Sequence, residues 1–313
     1  MRLDLTEIKR ITVGAVKIWA DDGFRFLSTT EEQLDAFAKL SDSLRRNAAA
    51  TTGVRLDFET DSEYIAYSTL TDNRYELKLD GLLTSLTEAK TGERNLLILP
   101  KDGKSHRVTL HLPSHGESGA LEYLELSDGA TLTPHAFDRK LLFIGDSITQ
   151  GYNSRFDTLS FAYQVSDHFN ADSIIQGTGG SCFYPDTLVK LDYDPDTVIV
   201  AYGTNDANKF ATLEEITKNC KEFLEKLKAL YGGAKIFVIT PIWRIKYDEP
   251  KPFGHIRGVA DLVRETAEEL GLTVVDGLSM IPANEFFMAD NLHPNDLGFA
   301  LYAHNLIKVM ERS

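Results

Sequence analysis

Ser147, Asp290 and His293 are the residues of this chain whose types and settings could together do acyl-transfer chemistry. Ser147 lies in Gly145-Asp146-Ser147-Ile148-Thr149-Gln150-Gly151, directly after the apolar run Leu141-Leu142-Phe143-Ile144. A serine at a strand-to-helix turn presents its hydroxyl at the carboxyl edge of a sheet and its N–H at a helix start, and acyl transfer can use both. The same serine could instead serve only as a helix cap. Near the other end, Asp290 precedes His293 by three residues in Asp290-Asn291-Leu292-His293-Pro294. On a loop, that spacing lets the carboxylate accept from Nδ1 and leaves Nε2 facing outward as a general base. Between these blocks stand Gly177-Thr178-Gly179-Gly180-Ser181 and Gly203-Thr204-Asn205-Asp206. The glycines allow backbone N–H groups to approach a ligand closely, or simply make a tight turn; the Asn205 amide could donate to an oxyanion or close an Asx turn.

Such residues converge only if the elements around them bring them to one edge. Strand patterns are expected over Lys140 to Gly145, Ser173 to Gln176, Thr197 to Tyr202, Lys235 to Thr240 and Leu272 to Asp276, with helical patterns between them. One helix, Thr212 to Leu230, puts Ile216, Cys220, Phe223, Leu224 and Leu227 on one face, so Cys220 reads as packing. Alternating βα units imply a parallel sheet covered on both faces, with ligands outside the carboxyl ends of its strands. All four blocks fall at or beyond such ends. Ahead of Leu141 the texture differs: short β-forming segments such as Val54 to Thr60, Tyr64 to Ser68, Asn95 to Leu99 and His106 to Leu112 are separated by turn signals. They predict a β-sandwich, interrupted by one amphipathic helix over Glu31 to Arg46. The expected division is a β-sandwich domain over 1–136 and a second domain over 137–313.

Composition narrows the partners. The 313 residues carry 33 Lys plus Arg against 47 Asp plus Glu, a formal charge of −14, which would repel a nucleic-acid backbone. No run of about 18 apolar residues is present, so no membrane span is expected. The start lacks a secretory signal pattern, from which a cytoplasmic location is expected. Cys182 and Cys220 have neither metal-site spacing nor disulfide density, and no metal site is expected.

Taken in order, the four blocks resemble those of the SGNH (GDSL-type) hydrolases over roughly Arg139 to Ser313. The resemblance implies a flavodoxin-like three-layer α/β/α domain in which Ser147 is the nucleophile, His293 the base and Asp290 its orienter. It also implies an oxyanion hole formed by the Ser147 N–H, the Gly180 N–H and the Asn205 side chain. The second block departs from the family pattern, because Ile175 occupies its usual Asn position. A sandwich ahead of such a domain is similar to the arrangement of carbohydrate esterase family two and related bacterial acetyl esterases, which makes the first half a jelly-roll-like accessory domain. Trp243, in Thr240-Pro241-Ile242-Trp243-Arg244, could stack on a sugar ring or wall an acyl pocket, or simply pack. The expected activity is hydrolysis of short acyl esters, acetyl above all, on a small molecule or oligosaccharide, without cofactor. A short-chain, lysophospholipid or thioester hydrolase and a non-catalytic carbohydrate-binding protein are the alternatives.

Overall fold

The computed structural model describes residues 1–116 and 118–313. The chain divides into two compact units, Met1–Thr29 with Ala49–Phe137, and Thr30–Ala48 with Asp138–Ser313.

Five parallel strands form the centre of the second unit: β1 (Arg139–Gly145), β2 (Ala171–Gly177), β3 (Thr197–Ala201), β4 (Lys235–Ile239) and β5 (Thr273–Val275). Their spatial order is β2-β1-β3-β4-β5. Chain order reverses at β1, so the crevice beyond the ends of β1 and β3 is where this topology places a ligand. Register brings the chemistry-bearing blocks level: Gly145, the last residue of β1, sits opposite Gly177 of β2 and Ala201 of β3.

Eight helices of this unit are α1 (Glu31–Leu40), α2 (Asp42–Ala48), α3 (Ser147–Gln150), α4 (Phe161–His168), α5 (Asp206–Lys209), α6 (Leu213–Tyr231), α7 (Ile256–Glu269) and α8 (Asp296–Arg312). Side chains alternate across a strand. Leu141, Phe143, Ile175, Ile199, Phe237 and Ile239 pack into one cluster with Phe161 and Val165 of α4 and Phe299, Tyr302 and Leu306 of α8. The Phe161 and Tyr302 rings stack at 4.0 Å. The alternate positions Leu142, Val198, Val200, Ile236 and Val238 are equally buried. Their side of the sheet is covered by α7, which packs on β4 and β5, and by α6, which packs on α7. Burial on both faces explains why these strands read as continuous apolar runs.

Residues 30–48, which include the single helix expected over Glu31 to Arg46 in the first domain, group with the second unit and form two helices. The chain breaks at Ser41, whose extended backbone ends α1 and whose hydroxyl accepts from Leu44 N–H at 3.1 Å. Leu34, Phe37 and Leu44 are buried as the stripe predicts, while Leu40 is 44% exposed because the turn rotates it out. The Gln33 and Gln176 side-chain amides bond reciprocally, both at 3.0 Å, which ties α1 to the end of β2. Such a pairing joins positions that no local pattern connects.

Among the described residues the first unit holds two antiparallel sheets, one of six strands and one of five. One apolar core serves both: Leu56, Phe58, Tyr75, Leu77, Val108 and Leu110 come from the first sheet, and Phe26, Ile65, Tyr67, Leu121 and Leu124 from the second. Asp80 and Gly81 both adopt positive φ and close the hairpin between Asn73–Leu79 and Leu82–Ala89, as two-residue turns of this kind require. Buried Asp57 accepts two bonds from Arg107, both at 2.8 Å, and one from Arg55 at 3.2 Å. No helix of the described residues is long and apolar enough to cross a membrane.

Candidate active site

Gly145 ends β1 and Ser147 begins α3 two residues later. The turn can be this sharp because a side chain at Gly177 would strike the backbone of Gln150, so β2 and α3 approach closely. Asp146, not Ser147, caps α3: its Oδ1 accepts from Ile148 N–H at 2.9 Å. The serine is therefore released from capping. Its Oγ lies 2.8 Å from His293 Nε2, and His293 Nδ1 lies 2.8 Å from Asp290 Oδ2. Ser147 is 8% exposed and His293 9%. The other Asp290 oxygen accepts the backbone N–H groups of Leu292 and His293, each at 2.7 Å, which fixes the loop that presents the ring. Burial alone would raise the Asp290 pKa, but those N–H groups and the His293 ring outweigh it and hold the carboxyl below its ordinary value. Its carboxylate form is thus favoured where it faces the imidazole.

Two supports of this relay carry no sequence signal. Asn153 adopts a left-handed backbone, φ 70°, and its Nδ2 donates to Asp290 Oδ2 at 2.7 Å, the same oxygen that faces His293. The Tyr152 ring lies against the His293 ring, centroids 4.8 Å apart. Asn tolerates positive φ better than most residues, so Asn153→Gly removes the amide without straining the chain. That variant is expected to lower kcat by roughly tenfold, the cost of about one hydrogen bond to a charged group, with KM little changed. Equal kcat in variant and wild type would show that the loop alone holds Asp290.

The loop after β2 is pinned group by group. Thr178 N–H donates to Gly145 O at 2.9 Å, Gly179 N–H to Gln150 Oε1 at 3.0 Å, and Ser181 N–H to Thr178 O at 2.9 Å. Asn47, at the end of the 30–48 excursion, holds Gly179 O at 2.8 Å, and Lys209 Nζ donates to Gly180 O. Gly180 itself takes φ 80°, a backbone that other residues rarely adopt. Among the described residues the N–H groups of Ser147 and Gly180 have no protein acceptor. The Ile175 side chain, at the position where the family pattern has Asn, lies in the apolar cluster under the sheet.

Asn205 makes no capping bond to α5. Its Nδ2 lies 3.1 Å from Ser181 O and 3.3 Å from Asp146 Oδ2, beside the block that carries Ser147. Asp206 accepts from Phe183 N–H and Gly203 N–H, both at 3.0 Å. Burial pushes Asp146 up to about 7, with the charge of Asp206 adding to the rise, and pushes Asp206 up to about 6. A carboxyl whose folded pKa exceeds its unfolded value favours folding most below the unfolded value and loses that contribution as pH rises through the folded one. For Asp146 the window runs from about 4 to about 7. Urea midpoints for Asp146→Asn should therefore fall less between about pH 4 and pH 8 than wild-type midpoints do. An equal or steeper fall in the variant would contradict the buried-acid account.

Trp243 is half-buried and packs against the cluster under the sheet. Both cysteines are buried, and burial raises their thiol pKa values, so neither is an activated nucleophile. The relay thus has a hydroxyl aligned with a ring nitrogen, a carboxylate aligned with the other, and two unpaired N–H groups on the flanking turns. Such a set can attack a carbonyl and return a proton to a leaving group.

The family described as GDSL-like Lipase/Acylhydrolase matches residues 143–301, just over half of the chain. No curated protein matches. Among solved structures, the chain is similar to a salicylyl-acyltransferase from a tetracycline biosynthetic pathway, with TM-score 0.83, 19% identity, and 96% of this chain and 94% of that one covered. It is similar to a GDSL-like lipase structure from Bacteroides ovatus at TM-score 0.78 and 16% identity, covering 100% of this chain and 97% of that one. A family two carbohydrate esterase from Clostridium thermocellum, solved with cellohexaose, aligns at TM-score 0.66 and 17% identity over 83% of this chain and 92% of that one.

Proposed function

Because the chain belongs to the GDSL-like lipase/acylhydrolase family and is a carboxylic ester hydrolase, we propose that it removes short acyl groups, acetyl above all, from carbohydrate esters through an acyl-Ser147 intermediate. The observation that carries this reading is the relay itself, Ser147 to His293 and His293 to Asp290, each link 2.8 Å, at the end of β1. Ser147 Oγ attacks the ester carbonyl as His293 Nε2 takes its proton. His293 then protonates the departing alcohol, and a water activated by the same nitrogen releases the acid and restores the serine. Asp290 keeps the Nδ1 proton in place throughout.

The Ser147 N–H, the Gly180 N–H and the Asn205 amide are the donors assigned to the tetrahedral oxyanion. For Asn205 the longer of its two bonds, to Asp146, is the one an oxyanion would share or replace. Asn205→Ala is expected to lower kcat by roughly 10²–10³, about 3 kcal/mol of transition-state stabilisation. Near wild-type turnover in a folded variant would remove Asn205 from the oxyanion hole.

Carbohydrate is favoured as the substrate class by the likeness to the esterase solved with cellohexaose. The two antiparallel sheets of the first unit are read as a jelly-roll-like sandwich, and Trp243 as the wall of the acyl pocket. A second reading, transfer of the acyl group to an alcohol in place of water, is favoured by the likeness to the salicylyl-acyltransferase over nearly the full length of both chains. The test is initial rate on nitrophenyl esters of increasing chain length, with acetate and acyl-acceptor products both quantified. Acetyl preference with free acetate as product supports the proposal. Preference for long chains, or acyl transfer in place of hydrolysis, overturns it.

A further inference from the structure

Beyond the ends of β3 and β4, Arg244 and Lys251 meet at one oxygen of Asn208, and Lys209 is the residue that follows Asn208 in α5. Arg244, five residues past β4, is 7% exposed, and its Nη2 donates to Asn208 Oδ1 at 3.1 Å. Lys251 Nζ donates to the same oxygen at 3.2 Å. Lys209, the next residue along α5, holds the Gly180 carbonyl, and its Nζ would stand 3.9 Å from a Cβ built on Gly180. Helix α5 begins immediately after Asn205, so this group adjoins two of the three assigned oxyanion donors.

None of these three cations forms an ion pair among the described residues, in a chain where acidic residues outnumber basic ones by 47 to 33. Elsewhere Arg55, Arg107 and Arg139 each have a carboxylate within ion-pair distance. Burying a guanidinium without a paired anion is costly, and one neutral amide oxygen shared with a lysine does not offset that cost. The charges of Glu249 and Asp146 act on Arg244, yet neither carboxylate bonds it, and Glu249 pairs instead with Lys246 at 3.8 Å. A guanidinium has five N–H donors in a planar fork suited to a carboxylate, and among the described residues one of them meets a protein acceptor here.

We propose that Arg244, Lys251 and Lys209 form an anion-recognition subsite, and that the preferred ester carries a carboxylate close to the scissile bond. This inference rests on the acyl-Ser147 reading above. The carboxylate can come from either side of the ester: from an acidic sugar on the alcohol side, or from a dicarboxylic acyl group. The net negative charge of the chain repels an anionic substrate at long range, so a local cation group is what its binding requires.

Two matched pairs of substrates read this out. On the alcohol side, acetylated galacturonic acid is compared with its methyl ester; on the acyl side, the succinyl ester of one alcohol is compared with its butyryl ester. Wild type is expected to favour the charged member of one pair by about tenfold or more in kcat/KM, the range of a charge-assisted hydrogen bond. The pair that shows the preference identifies the source of the carboxylate. Arg244→Gln should cut the charged-to-neutral ratio by about tenfold and Lys251→Gln by a smaller factor, and high salt should shrink it in wild type. The ratio is taken within each variant, so a general loss of folded protein cancels. Lys251 provides a more exposed position should Arg244→Gln fold poorly. A wild-type ratio of one or less in both pairs, or a ratio that survives both substitutions, overturns the subsite. If the neutral members are still cleaved in a Ser147-dependent way, the esterase reading stands while the subsite falls. If no member of either pair is cleaved, both fall.

Discussion

Asp290→Asn is expected to lower kcat on acetyl esters by roughly 10⁴ while leaving the protein folded. The reason is the set of donors already facing that carboxylate. One oxygen accepts two backbone N–H groups, and the other accepts the Asn153 amide and faces His293 Nδ1. An asparagine here can keep only one side of the arrangement. With its oxygen toward the backbone, its NH2 points at Nδ1 and favours the tautomer protonated on Nε2, which cannot take the serine proton. That NH2 also meets the Asn153 amide donor to donor. With the group reversed, its NH2 opposes two backbone donors and the loop that presents the ring loses its anchor. Either outcome spares the sheet and removes the base, so the loss should appear in kcat with an unchanged far-UV circular dichroism spectrum. Unchanged turnover in a folded variant would mean that another group orients His293.

Ser147→Ala is expected to have the largest effect, a loss of roughly 10⁴–10⁶ in kcat with KM little altered. The Asp146 cap and the turn before α3 do not involve the Ser147 side chain, so the variant should retain wild-type stability. Removing the hydroxyl leaves His293 with nothing to deprotonate except water, and the residual rate then reflects only the oxyanion donors and binding. Because serine, histidine and aspartate act as one unit, adding Asp290→Asn to Ser147→Ala should cost little more. Full additivity of the two losses would indicate that they act in separate steps.

The parallel sheet was legible because strands buried on both faces leave uninterrupted apolar runs, and all five expected strands are present within one or two residues of their expected ends. The first unit was harder. Ala120–Leu126 pairs with Tyr64–Thr69 through a register shift between Leu121 and Tyr123, which breaks the alternation by which a strand is recognised. Leu82–Ala89 lies at a sheet edge with Leu82, Leu83 and Leu86 exposed and Ser85, Thr87 and Ala89 turned inward, so apolar residues do not mark its inward face. The placement of 30–48 rests on Gln33 with Gln176 and Asn47 with Gly179, contacts that span more than a hundred residues.

The same contrast holds in the site. Ser147 can be named because its block follows a strand directly, and Asp290 and His293 because they stand three residues apart just ahead of the last helix. Asn153, in a left-handed conformation, and Tyr152 touch that relay from a loop with no repeating pattern, and Arg244 and Lys251 meet at Asn208 from segments that only the fold brings together. A sequence records which residue types are present; their pairing depends on turns that single residues decide.

The most direct measurement is acetate release from a panel of acetylated mono- and oligosaccharides by wild type and Ser147→Ala at equal folded concentration. Release by wild type that vanishes in the variant, with sugar acetates preferred over nitrophenyl esters of longer chain, is the expected result. Sugar acetates left intact by wild type, or cleaved equally well by Ser147→Ala, would contradict an acyl-Ser147 carbohydrate deacetylase.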